Sequence, residues 1–422
     1  MKRRLIIGER IMYVDSLTPL NCVFAAKVRG VFSLPVLQLV LNKIQHKHPL
    51  LQTCIKEDDH GVPHFVSNHT VAEIPVRIIE RTDDLQWQQE SKAEWGKLFD
   101  EKNKPMLRVV WLKGDTVSEF LLVFPHCIGD GTTFVTVMSE LLALLDHPEK
   151  ELSSYPPFNS VEGLLSSYKK TRGQVMKGRV FAVVAKLFFA LKSTKMVAVQ
   201  GNSYLLQWKM NREQTAALVA RCKQEGVTVH AALCIAFMQA FYKVKGKDAH
   251  GKVICPVDIR RFVPEIKQDM MFAFAPIAEL SSSPAQNTDF WTKARKLKDE
   301  LTAKIAAMKV PELLVMSEYF HATVHKMVKH LRSTDGTHDL TLSNMGKLGI
   351  AEQYDSFEVE TVYSPNVAFP WRNPNTAIVS TYRGEMDFVF CSNDAFLKEE
   401  EAKMIQSETL ILLQEEMELS YV

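Results

Sequence analysis

Phe124-Pro125-His126-Cys127-Ile128-Gly129-Asp130-Gly131-Thr132 is the stretch on which the reading of this 422-residue chain turns. Ser118 to Phe124, just before it, is a run of Phe, Leu and Val that predicts a buried strand. After it, Thr132 or Thr133 is placed to cap a helix, with Phe134, Val135, Val137, Met138, Leu141 and Leu142 at helical spacing. A histidine, an aspartate and two glycines therefore occupy a strand-to-helix turn, where a rigid scaffold can present a reactive side chain at the mouth of a sheet.

A neutral imidazole titrating near its ordinary pKa of about 6.5 is suited to take a proton from a hydroxyl or an amine. His126 is thus the candidate general base. Gly129 and Gly131 permit a sharp turn and leave room for a substrate. Asp130 has two readings. It either orients His126 as a triad partner or pairs with an arginine and braces the loop. Cys127 is adjacent to His126, and adjacent residues on an extended segment point apart, which places the thiol behind the histidine rather than beside it.

Composition narrows the field. Hydrophobic residues make up 46% of the chain, enough for a sizeable core in each half, and 51 basic residues against 49 acidic ones leave a net charge of +2. No basic excess points to a nucleic-acid partner. The seven cysteines, at 22, 54, 127, 222, 234, 255 and 391, are scattered, which fits a reducing compartment. The start of the chain has too brief an apolar run for a signal peptide, and a cytoplasmic location is expected. There is no Gly-x-Ser-x-Gly elbow, phosphate loop or GxGxxG fingerprint. His321 and His325 have the i,i+4 spacing of helical metal ligands, but Ala322 stands where a zinc protease needs glutamate, so an ordinary helix face is preferred and no metal is expected.

In chain order, strands are predicted at 22–28, 50–55, 75–79, 107–112 and 118–124. Helices are predicted from Ser33 to about His46, over 84–99, and after Thr132. A loop follows at 146–157. The apolar segment Val175–Val199 is too short in its apolar runs for a membrane span of about 20 residues. On a helical wheel, Lys177, Lys192 and Lys195 oppose Arg179 and Lys186. A linker helix between two halves is the first reading and contact with a membrane surface the second. The second half reads as strand 203–209, helices 212–224 and 228–241, strand 253–257, helices 287–308 and 311–331, four strands at 338–343, 357–363, 376–382 and 386–391, and a helix at 397–417. The domain reading is an N-terminal lobe 1–150, a crossover 151–202 and a C-terminal lobe 203–422. Arg260 and Arg261, at a strand end, are candidate partners for Asp130. Ser343 and Asn344 sit in a polar turn able to face an oxyanion.

Together these pieces resemble the CoA-dependent acyltransferase superfamily. Its members include chloramphenicol acetyltransferase, the condensation domains of nonribosomal peptide synthetases, alcohol acetyltransferases and the acyltransferases of polyketide-lipid synthesis. His126-x-x-x-Asp130-Gly131 matches the HxxxDG motif. His46-Lys47-His48-Pro49-Leu50-Leu51-Gln52-Thr53 is similar to a condensation-domain segment. Val257-Asp258-Ile259-Arg260 is similar to the strand-end arginine of the second lobe. Leu342-Ser343-Asn344-Met345-Gly346 is similar to the SNxG turn of the alcohol acetyltransferase branch, and Ala377–Asp394 to the closing hairpin.

The resemblance spans nearly the whole chain. It implies an α/β fold of two chloramphenicol-acetyltransferase-like lobes, each a mixed sheet with flanking helices, and a tunnel between them holding His126. It further implies that Asp130 pairs with Arg260, with Arg261 as the fallback, and that Ser343 or Asn344 steadies the oxyanion. Acyl-CoA would be a co-substrate, with no permanently bound cofactor. The acceptor would be a small or lipid-like alcohol, an amine being the second choice.

Two departures stand out. Pro125 replaces the histidine that precedes the motif in peptide condensation domains, and the plant-type DFGWG signature is missing. With no carrier or adenylation domain attached, a diffusible thioester is the expected donor. A carrier-protein-bound thioester and a catalytically silent binding module remain the alternatives.

Overall fold

The computed structural model describes residues 2–67, 71–99, 104–191, 201–283 and 288–418. Its frame is two six-stranded sheets and a smaller three-stranded one. In the first large sheet, Val117–Pro125 runs antiparallel between Asn21–Arg29 and Arg108–Lys113, with Val76–Glu80 parallel at the far edge. The strand before His126 is apolar on both faces because both faces are covered. Phe120, Leu122 and Phe124 enter the core shared with helices Leu34–Lys47 and Gly131–Asp146. Leu121 and Val123 point the other way, onto Trp87 and Trp95 of helix Gln86–Trp95 and onto Leu205, Val389 and Cys391 of the other large sheet.

The second large sheet is ordered Ile277–Ser281, Lys252–Pro256, Leu340–Lys347, Thr376–Tyr382, Glu385–Asn393 and Ser203–Met210. One face packs on helices Val229–Lys245, Phe290–Ala307 and Glu399–Glu418. The alternation is legible along Thr376–Tyr382. Ala377 and Val379 face those helices, whereas Ile378 and Tyr382 join the core of the first sheet.

The lobes also trade strands. Glu358–Val362 and Asn366–Val367 come from the second half of the chain but pair with Asn21–Arg29 of the first sheet. Strands late in the chain thus complete a sheet begun near its start.

Several expectations are corrected. Strands Lys2–Arg4, Pro63–Ser67 and Ile277–Ser281 and helix Ile7–Tyr13 were not anticipated, being too short for periodicity to register. Pro49–Gln52 is a 3-10 turn, and the strand expected over 50–55 is Thr53–Glu57. The helix expected over 311–331 breaks into Val310–Ser317, the 3-10 turn Glu318–Phe320 and Val324–Leu331. Ser343 and Asn344 lie within strand Leu340–Lys347, at a bulge between Asn344 and Gly346, rather than in a turn after it. The apolar segment forms helix Arg172–Leu191, and its expected continuation, with Lys192 and Lys195, lies outside the described residues. No single described helix is long and apolar enough to cross a membrane.

Candidate active site

The turn is fixed by backbone bonds before any side chain acts. The His126 amide donates to the Leu20 carbonyl at 2.8 Å, at the end of the pairing that sets Pro125 opposite Asn21. A 3-10 turn, His126–Ile128, follows, with Cys127 and Ile128 buried beneath it. Helix Ile7–Tyr13 packs against that turn. Its first turn is locked by Glu9, whose carboxylate accepts from the Ile6 amide at 2.8 Å and from both terminal nitrogens of Arg3 at 2.7 and 2.9 Å. Gly129 is required by a close approach, since a Cβ there would lie 2.6 Å from Thr133 Cγ2.

His126 Nδ1 lies 3.0 Å from the Gly129 carbonyl oxygen. A carbonyl only accepts, so Nδ1 carries the proton and Nε2 presents a lone pair. Burial pushes the imidazole below its ordinary pKa, outweighing the opposing pull of the Gly129 carbonyl and the Asp130 charge. The ring is therefore neutral at pH 7 with Nε2 free to accept a proton. Phe134 and Phe369 flank it, at ring-centre distances of 6.1 and 5.8 Å. Phe369 stacks in turn on Trp371. The histidine from the first half of the chain thus sits against an aromatic wall supplied by the second.

Asp130 is fully engaged elsewhere. Its Oδ1 accepts from the Thr133 amide at 3.0 Å and the Thr133 hydroxyl at 3.1 Å, so Asp130 rather than Thr132 or Thr133 is the N-cap of helix Gly131–Asp146. Its Oδ2 accepts from Arg260 Nη1 at 2.5 Å. Arg260 is buried and also donates to the Met270 carbonyl at 3.1 Å. Burial works against its charge, but the Asp130 and Asp258 carboxylates more than offset it and hold the guanidinium above its ordinary pKa. Nδ1 of His126 bonds the Gly129 carbonyl instead, so the geometry gives Asp130 the brace and not the triad place. Arg261 lies against the Phe262 ring.

The other lobe reaches the turn through strand Leu340–Lys347. A Cβ on Gly131 would stand 3.1 Å from Met345 Cε, so a larger residue here would press on that methionine from the other lobe. Leu340 and Leu342 face the helices of their own lobe. Up to the bulge, Ser343 therefore faces the opposite way, as its parallel partner Ile378 does. Asn344 is used locally. Its Oδ1 accepts from the Gly346 amide at 2.9 Å and fixes the bulge, where Gly346 has φ 66°.

The remaining candidates separate. Burial raises the Cys127 thiol well above its ordinary pKa, which leaves it inert as a nucleophile. His321 pairs with Glu318 at 2.9 Å, and the helix break after Phe320 removes the register it would share with the exposed His325. The 46–53 segment is a brace. Buried His48 joins Glu140 Oε2 at 2.7 Å and the Tyr155 hydroxyl at 2.9 Å, while Lys47 bridges Glu140 at 2.6 Å and Asp269 at 2.8 Å. Tyr155 also accepts from the Met271 amide at 2.9 Å. The 269–271 loop is thereby tied to the N-terminal lobe beside the Arg260 contact.

Sequence reading missed Phe369, Met345 and helix Ile7–Tyr13. The only available signal was composition, an aromatic pair around Pro370 and a methionine inside a polar turn. A separate concavity of about 500 Å³ lies at the other end of Asn21–Arg29, lined by Lys27, Asp84, Trp87, Lys209 and Tyr363. Beside it, Glu119 is buried near Arg81 at 3.6 Å and accepts from the Tyr363 hydroxyl at 3.3 Å.

Residues 204–388 match the family described as phthiocerol/phthiodiolone dimycocerosyl transferase C-terminus. Polyketide synthase associated protein 5 from Mycobacterium tuberculosis superposes with a TM-score of 0.69 at 15% identity, over 98% of each chain. The chain has the CoA-dependent acyltransferase superfamily fold. A trichothecene 15-O-acetyltransferase from Fusarium sporotrichioides superposes with a TM-score of 0.72 at 13% identity, over 98% of this chain and 95% of the other. The condensation domain of the Monacolin K polyketide synthase gives 0.71 at 14% identity, over 99% and 98%. No curated protein matches the chain by sequence. The two-lobed α/β architecture is the one expected from the resemblance, and the described residues form no closed barrel.

Proposed function

We propose that this protein is an acyltransferase that moves an acyl group from a thioester to a hydroxyl acceptor, with His126 as the general base. The observation that carries this reading is the Nδ1 bond to the Gly129 carbonyl, which leaves Nε2 unprotonated. Nε2 takes the acceptor's proton as its oxygen attacks the thioester carbonyl. The tetrahedral oxyanion then collapses, the carbon–sulfur bond breaks, and the imidazolium returns the proton to the departing thiolate. Ser343 is the favoured oxyanion donor, because it lies on the sheet face turned toward the first lobe. Acyl-CoA is the proposed donor. A carrier-bound thioester is the second reading, supported by the similarity to a polyketide-synthase condensation domain.

A lipid-like acceptor is supported by helix Arg172–Leu191. Its Gly178 face packs on Met316 and Tyr319. Its outer face exposes Met176, Val180, Val183, Val184, Leu187 and Leu191, with Lys177, Arg179 and Lys186 and no acidic residue along the helix. An exposed apolar stripe with basic flanks fits the surface of an anionic bilayer.

The test is thiol release from acyl-CoA with a panel of alcohols and amines. His126→Ala is expected to lower turnover by about 10²–10⁴-fold. Wild-type turnover in that variant would refute the mechanism, and activity only with loaded carrier protein would select the second reading.

A further inference from the structure

Helix Val229–Lys245 begins at Thr228, whose hydroxyl caps the Ala231 amide. Across its first two turns, His230 and Cys234 stand four residues apart on a single face. Cys255, on the adjoining strand Lys252–Pro256, points at the same spot. His230 Nε2 is 3.2 Å from Cys255 Sγ and 3.6 Å from Cys234 Sγ, and the two sulfurs are 3.9 Å apart. Each residue offers one ligand atom to a common centre.

These edges have a chemical meaning. With zinc–sulfur bonds of about 2.3 Å and zinc–nitrogen bonds of about 2.0–2.1 Å, tetrahedral angles put ligand sulfurs about 3.8 Å apart and sulfur and nitrogen about 3.6 Å apart. A point about 2.1–2.3 Å from all three atoms lies just off the plane they define. A disulfide needs sulfurs at about 2.05 Å, far shorter than the 3.9 Å found. Both cysteines are buried while His230 is half-buried, so the cluster is enclosed on the protein side and approachable on the other. Two thiolates would neutralise a divalent ion, so the occupied site would place no net charge in the core.

We propose that His230, Cys234 and Cys255 form a binding site for a borderline-soft divalent cation of the zinc type, with one coordination position left for water or an exogenous ligand. The ion ties the N-terminal turn of helix Val229–Lys245 to strand Lys252–Pro256. That strand leads directly to Arg260, whose pair with Asp130 holds the His126 turn, so the site also steadies the brace. The inference is independent of the acyl-transfer reading. Sequence reading weighed only the His321–His325 spacing for metal. His230-x-x-x-Cys234 carries the same i,i+4 signal, but its third ligand is 21 residues further on and joins only through the sheet.

The test uses the full chain, purified reduced and stripped with a chelator, then titrated with Co²⁺ as a spectroscopic probe. One equivalent is expected to bind with tetrahedral visible bands and a thiolate-to-cobalt charge-transfer band, and Zn²⁺ should displace it. Cys255→Ser and Cys234→Ser should weaken charge-transfer absorption and lower affinity more than about tenfold. His230→Gln, at the half-buried ligand, serves if the serine variants do not fold. Zn²⁺ should also slow alkylation of Cys234 and Cys255, read by mass spectrometry, and leave Cys222 unchanged. Absence of the thiolate band in the fully reduced chain overturns the proposal. So does a Cys234–Cys255 disulfide whose reduction yields no metal binding.

Discussion

Substitution at the Asp130–Arg260 pair tests how the two lobes hold the reactive turn. Asp130→Asn keeps an N-cap as good as the original, so helix Gly131–Asp146 should start as before. It removes the charge facing Arg260, whose side chain is fully buried and whose other carboxylate neighbour, Asp258, is half exposed at 3.5 Å. Stranding a buried charge costs about 3–5 kcal/mol, and Asp258 should hold the loss near the lower end. Arg260→Met should cost about 2–3 kcal/mol, because Asp130 keeps its Thr133 bonds and some contact with water while the Met270 carbonyl loses its donor. With both charges gone, the double variant should be less destabilised than the sum of the two by about 2 kcal/mol. Urea unfolding followed by tryptophan fluorescence measures all four corners of the cycle. Additivity within about 0.5 kcal/mol would refute the pairing argument. The same variants also address chemistry. If Asp130 is a brace, Asp130→Asn costs little turnover and moves the acid limb of the kcat/KM profile slightly to lower pH, since the charge that supports the imidazolium is gone. A loss near 10⁴-fold would return Asp130 to the triad place.

Four further outcomes are expected. The acid limb of the wild-type pH profile should fall below about 6.5, because burial lowers the His126 pKa and the neutral, competent ring persists to lower pH; a limb above 7 would contradict this. Ser343→Ala should lower kcat by about 10²–10³-fold with little change in unfolding midpoint, whereas Asn344→Ala should mainly lower stability through the bulge; the reverse pattern would exchange their roles. Glu119 is held protonated to about pH 7 by burial, which prevails over Arg81 and Lys27. The folded state then binds more protons than the unfolded between about pH 4.5 and 7, so its contribution to stability is present at low pH and lost as pH rises. Glu119→Gln should remove about 1–3 kcal/mol of that decline in denaturant titrations at pH 5 and 8, and an unchanged slope would sink the assignment. Finally, wild-type protein should float with anionic but not neutral vesicles, and Val180→Glu with Leu187→Glu should abolish flotation; retained flotation would dismiss helix 172–191 as the contact.

The sequence by itself determined the elements that lean on local physics. The apolar run 118–124, the two glycines flanking Asp130 and the helical spacing after Thr132 specify a strand, a turn and a helix from sterics and periodicity alone. They also made His126 a candidate base and set out both readings of Asp130. Tertiary structure decided what local physics cannot. The tautomer of His126 depends on which oxygen Nδ1 meets, and that oxygen is the Gly129 carbonyl. The role of Asp130 depends on a guanidinium 130 residues away in the chain. Ser343 and Asn344 look equivalent in sequence and are separated only by the sheet face and the bulge. Strand Glu358–Val362 completes the other lobe's sheet because hydrogen bonding rewards an open edge regardless of chain order. The His230, Cys234 and Cys255 cluster arises where a helix lies across a strand, a meeting that no spacing along the chain encodes.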